Sequence, residues 1–82
     1  MSKAGGRTLF VRRARKDGRL VAVLRATEQA EGCVVETEVH RQGTGETLRP
    51  GPYAFADARE ATAFVTEAVE ALIYLGCDVQ AE

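Results

Sequence analysis

TLFVRRARKDGRLVAVLRAT, residues 8–27, holds the strongest hairpin signal in the chain. Near its middle stands Lys16-Asp17-Gly18-Arg19. An Asp-Gly pair tolerates the positive φ angles of a type I′ turn, the turn whose twist matches two antiparallel strands. The flanking segments, 8–14 and 20–27, carry period-two patterning and β-branched residues, so they are predicted to form a hairpin. With Asp17 and Gly18 as the turn, alternation places Leu9, Val11, Leu20, Ala22, Leu24 and Ala26 on one face. That face is apolar and is expected to lie under a helix. The other face then carries Thr8, Phe10, Arg12, Lys16, Arg19, Val21, Val23, Arg25 and Thr27, a cationic surface with one aromatic. Arg13 and Arg15 fall on the core side close to the turn, where their stems reach back to water.

Outward from the hairpin, residues 33–40 are predicted as a third strand. Cys33, Val35, Thr37 and Val39 suit the core, and Val34, Glu36, Glu38 and His40 the outer face. A short polar connection then brings Arg25 opposite Glu36 and Val23 opposite Glu38. Residues 42–45 form a turn, and 46–49 a fourth, short strand. Pro50-Gly51-Pro52 interrupts it, because proline cannot donate to a ladder, and residues 53–55 resume the extended chain. A helix is predicted over 58–75. Asp57 caps it, Glu60 stands at the capping-box position, and Ala61, Phe64, Val65, Ala68, Leu72 and Leu75 recur at spacings of three and four. Gly76 stands where a left-handed C-terminal cap belongs. The expected fold class is α+β: an antiparallel sheet of three to four strands followed by one C-terminal amphipathic helix packed on one face. Residues 1–6 are expected to be a flexible tail, and 7–82 a single domain.

Charge is sorted along the chain. Residues 1–27 hold eight cations against one acid, a net of +7, and residues 28–82 hold three cations against eleven acids, a net of −8. Such asymmetry points to a nucleic-acid or protein partner, or to the two halves neutralising each other in the fold. No apolar run approaches the roughly 20 residues of a membrane span, so no membrane partner is expected. No apolar stretch follows Met1 to Gly6, so no secretory signal is expected and the location is read as cytoplasmic. The two cysteines, Cys33 and Cys77, form no C-x-x-C pair. They read as reduced thiols with no cation or helix N-terminus to activate them.

Chemistry-bearing residues do not assemble into a catalytic set. His40 is the only histidine and has no Ser or Asp placed around it by a motif. Gly43-Thr44-Gly45 lacks the lysine and the following helix that a phosphate loop needs. Glu36 and Glu38 share a face with cations, which makes them ion-pair partners rather than an acid–base couple. The chain is therefore expected not to be an enzyme and to need no cofactor or metal.

The order of consecutive antiparallel strands and then an amphipathic helix, with a cationic hairpin, resembles the single-stranded-DNA-binding modules of the positive cofactor 4 type. The resemblance implies a basic, aromatic-bearing sheet and a homodimer. The acidic third strand departs from it. Two functional expectations emerge. In the first, Arg12, Arg13, Arg15, Lys16, Arg19 and Arg25 grip the phosphates of single-stranded nucleic acid while Phe10 stacks on a base. In the second, the chain is a protein-interaction or homo-oligomerisation module, its basic hairpin meeting an acidic partner or a second copy. Cross-strand ion pairing within one solvated sheet is the competing account of the same charges.

Overall fold

The computed structural model describes residues 6–82. Of the expected tail over residues 1–6, all but Gly6 lies outside the described residues. The elements run in the order β1 (Arg7–Lys16), β2 (Arg19–Gln29), β3 (Gly32–His40), β4 (Thr47–Leu48), β5 (Tyr53–Phe55), α1 (Ala58–Tyr74) and β6 (Asp78–Ala81). One six-stranded sheet runs β4-β3-β2-β1-β6, with β5 also on β3, and all its pairings are antiparallel. The α+β class and the single helix on one face agree with the sequence. The sheet is larger than the three to four strands expected. The helix is not the last element, because β6 returns from it to the free side of β1.

The hairpin turn forms at Asp17 and Gly18, with φ of 53° and 78°. Pairing starts in the expected register, Lys16 with Arg19 and Arg15 with Leu20. It then slips by one residue, so that Ala14 faces Ala22, Arg12 faces Leu24 and Phe10 faces Ala26, and it slips back at Thr8 with Thr27. Two bulges cause this, with Val21 the extra residue on β2 and Leu9 the extra residue on β1. A one-residue slip moves a strand segment to the opposite face. Residues 10–16 are therefore turned over relative to the expected assignment, and with them Arg19 and Leu20, the partners of Lys16 and Arg15: Lys16 and Arg19 fall on the helix side, Arg15 and Leu20 on the outer side. Phe10, Arg12 and Ala14 lie on the helix side, and Val11 and Arg13 on the outer side with Val23 and Arg25. The slip is favourable because Leu9, Phe10 and Val21 all reach the helix-side core at once.

That core centres on Leu24, Ala26, Cys33, Val35, Ala61 and Val65, with Val35 wholly enclosed. A second cluster joins Ala14, Ala22 and Cys77, and Leu72 bridges the two. Strand β3 keeps the expected pairing, Arg25 opposite Glu36 and Val23 opposite Glu38.

Helix α1 is capped as its sequence prescribes. Asp57 Oδ1 accepts from the Glu60 N–H at 3.0 Å, and Glu60 Oε1 accepts from the Ala56 N–H at 3.1 Å. At the other end Gly76 adopts φ 98°. The Gly76 N–H donates to Ile73 O and the Cys77 N–H to Leu72 O, which is the Schellman pattern. Leu75, expected on the buried stripe, is instead the C-cap residue and stays exposed. The two residues after it, Gly76 and Cys77, turn the chain directly into β6.

Candidate functional site

The two bulges divide the hairpin cations between faces. On the helix side, the Arg12 guanidinium lies over the Phe10 ring, 4.8 Å from its centroid, and Nη1 donates to Val11 O at 3.0 Å. Phe10 itself packs against the core cluster and lines a groove with Val65 and Val69 of the helix. It is not on the outer sheet face where it was expected, and Arg12 sits above it as a lid. Lys16 Nζ donates to Leu75 O at 3.1 Å, satisfying a carbonyl at the negative end of the helix. Arg19 stands beside Lys16 at the turn.

On the outer side, Arg13 holds Glu82 through two hydrogen bonds, Nε to Oε2 at 2.8 Å and Nη2 to Oε1 at 3.2 Å. This fork-to-carboxylate geometry is the strong form of an ion pair. It raises the Arg13 pKa, and together with the Arg25 charge it draws the Glu82 carboxyl below its usual range. Val11 and Val23 are buried although no helix covers this face. Their direct cross-strand partners are Arg25 and Arg13, whose aliphatic stems flank them. Arg15 faces Asp78 across the β1–β6 pair. The outer face thus interleaves Arg13, Arg15 and Arg25 with Glu36, Glu38, Asp78 and Glu82. The structure does not gather the seven expected binding residues on one surface.

On the outer face, Val23, Arg25, Glu36, Glu38, Arg49, Pro50 and Pro52 line a groove. Glu38 meets Arg49 at 3.6 Å and His40 Nε2 at 3.5 Å, while His40 Nδ1 lies 3.3 Å from Thr47 Oγ1. This arrangement ties β4 to β3. Both thiols are free and buried, and burial, with Glu28 and Asp57 nearby, pushes the Cys33 pKa up. Among the described residues, no three His, Cys, Asp or Glu side chains come together to hold a metal, and no helix is long and apolar enough to cross a membrane.

A feature that the sequence patterning did not single out lies at the end of α1. Ile73, Tyr74 and Leu75 are exposed by 55%, 90% and 64%. Three consecutive large apolar residues in water form a patch that isolated surface apolars do not. The signal is present in the sequence: Ile73 and Tyr74 fall off the stripe set by Ala61, Val65, Ala68 and Leu72. The patch is two residues from β6, whose far side pairs with no strand among the described residues.

Compared with models of known families, with curated proteins and with solved structures, the chain matches none.

Proposed function

We propose that the protein is a small non-enzymatic interaction module that associates with itself. The observation that carries this reading is the exposed trio Ile73, Tyr74 and Leu75 beside the open edge strand β6. Covering large apolar side chains is the main favourable term in protein association. The hairpin cations add weight, because Arg13 and Lys16 are already engaged within the chain. Measuring molar mass from about 1 μM to about 1 mM by sedimentation and light scattering tests it. A mass that rises to twice the chain mass is expected, and the chain mass at every concentration rejects self-association.

A second reading keeps the nucleic-acid expectation, supported by Arg15 and Arg19, which form no ion pair among the described residues and flank the turn. With Arg25 they offer about three phosphate contacts, so the slope of log K against log salt would be close to −2 for a single strand. Phe10, lying under Arg12 on the helix side, would add no stacking, so its replacement would leave single-strand affinity unchanged. An anisotropy titration with a single-stranded oligonucleotide at two salt concentrations decides it, and no binding at low salt excludes it.

A further inference from the structure

The hydrogen-bond phase of β6 fixes which of its backbone groups are free. The Glu82 N–H donates to Val11 O at 3.1 Å, and the register continues as Arg12 with Ala81, Arg13 with Gln80, Ala14 with Val79 and Arg15 with Asp78. Bonded and non-bonded pairs alternate along an antiparallel ladder. Glu82, Gln80 and Asp78 therefore point their N–H and C=O groups at β1, and Val79 and Ala81 point theirs away from the sheet. The Val79 side chain lies with Ala14, Ala22 and Cys77 on the helix side, so Ala81 shares that side and Gln80 the outer one. The free edge is short, which by itself restrains pairing. It carries no proline, no lysine and no bulge, and the apolar end of α1 stands beside it.

This edge is complementary to itself. We propose that a second copy of the chain pairs its β6 antiparallel to the first about a two-fold axis at Gln80. Val79 then faces Ala81 of the second copy, twice over, and the four outward N–H groups meet the four outward C=O groups with none left over. Side-chain parity puts Val79 and Ala81 of both copies on the same face, so both helices lie on one side of a continuous sheet. Each helix end stands on that shared face, next to Asp78 of its own copy and Glu82 of the other. One covered aromatic buries roughly 150–250 Å², so the trio offers about 400 Å² per copy at its observed exposure. Two copies and the strand edges together reach the roughly 1,000 Å² of total area that a specific interface must clear. On the outer face Asp78 faces Glu82 of the second copy. Glu82 is bound to Arg13 of its own chain, and Asp78 lies across the ladder from Arg15 without an ion pair among the described residues.

This pairing rests on self-association as the function, and its test separates the two. Ala81→Pro removes an N–H that bonds nothing within one chain. It should leave the circular dichroism and thermal midpoint of the domain unchanged while raising the dissociation constant about tenfold or more. Gln80→Cys places two thiols at a non-hydrogen-bonded pair with Cα atoms about 4.5 Å apart, inside the range a disulfide spans. Under mild oxidation this variant should crosslink to a dimer much faster than Glu67→Cys, which reports random collision from the exposed helix surface. A dimer that survives Ala81→Pro, or Gln80→Cys crosslinking no faster than Glu67→Cys, overturns the pairing and leaves self-association standing. A monomer at every concentration overturns both.

Discussion

The two edges of the sheet are built in opposite ways. Beyond β3 the chain lays down β4 and β5, two pieces of two and three residues, with Pro50-Gly51-Pro52 between them. This edge is anchored from several directions. The Phe64 ring of the helix lies 5.2 Å from both Tyr53 and Phe55, in tilted geometry. Thr37 Oγ1 donates to Pro50 O at 2.7 Å, and Arg41 pairs with Glu46 at 3.1 Å. Short strands and prolines at an edge deny a template to other chains. Beyond β1 lies β6 alone, held by Val79 in the small cluster and by the Arg13–Glu82 fork. A free edge is therefore not a general property of this sheet. One edge is broken and pinned, and the other is left continuous beside the apolar end of α1.

The greatest loss of stability should come at the pinned edge. Phe64→Ala removes the ring that joins Tyr53, Phe55 and the core. It should cost about 2–4 kcal/mol, read as a lower urea midpoint at unchanged slope. A loss under about 1 kcal/mol would mean that the aromatic cluster does not anchor β5. Next come two glycines, one at each edge. Gly32 has φ 142°, and a Cβ there would run into the Phe55 carbonyl oxygen. Gly32→Ala should therefore cost about 1–3 kcal/mol. Gly76 has φ 98°, but its added Cβ would meet only the flexible Lys16 stem at 3.5 Å. Gly76→Ala should cost nearer 1 kcal/mol, the usual penalty for a left-handed cap without glycine. Equal losses at the two positions would erase the asymmetry between the edges.

Much of this fold is legible in the sequence. The Asp17-Gly18 turn, the third strand with its Arg25–Glu36 register, and both caps of α1 arise from local chemistry acting over a few residues. The face of residues 10–16 does not. A bulge inserts one residue without changing composition, and strict alternation has no place for it. Its trace is that 20–24 and 9–11 are unbroken apolar runs rather than alternating ones. The grouping of the expected site residues changes with that register, because alternation sets Phe10 and Arg12 beside Arg25 when they lie on the helix side. Strand β6 is readable in principle, since Cys77, Val79 and Ala81 alternate with Asp78, Gln80 and Glu82. The helix cap masks it, because Gly76 signals where a helix stops and carries no sign of a strand beyond. The outer-face location of Arg13 and Glu82 depends on pairing across 69 residues of chain, which no local pattern encodes.

A smaller effect concerns the helix that links the two edges. Asp57→Ala deletes the acceptor of the Glu60 N–H and should cost about 1 kcal/mol, with the far-UV helix signal retained at low temperature. Because α1 begins beside β5 and ends beside β6, fraying from this cap should loosen β5 first. Hydrogen exchange that rose first in β6 would contradict that order.

The smallest effect is at the open edge and depends on pH. Hydrogen bonds from Arg13 draw the Glu82 pKa below its ordinary value near 4.3. A carboxyl depressed in the folded state lends its stabilisation above the unfolded value and loses it as pH falls through the folded one. The fork should therefore hold at neutral pH and open only as pH falls below the ordinary glutamate range. Both groups are solvated, so the global unfolding midpoint should barely move. The readout is local: NMR titration of the Glu82 side-chain carboxyl should show a midpoint below that of an unpaired glutamate. Arg13→Met keeps the stem over Val23 and should return that midpoint to the ordinary value. Over the same range the Gln80 and Glu82 amides, which donate toward β1, should lose protection, while those of β5 do not. An ordinary midpoint for Glu82 in the wild-type chain, or equal loss at both edges, would show that the fork does not fasten β6.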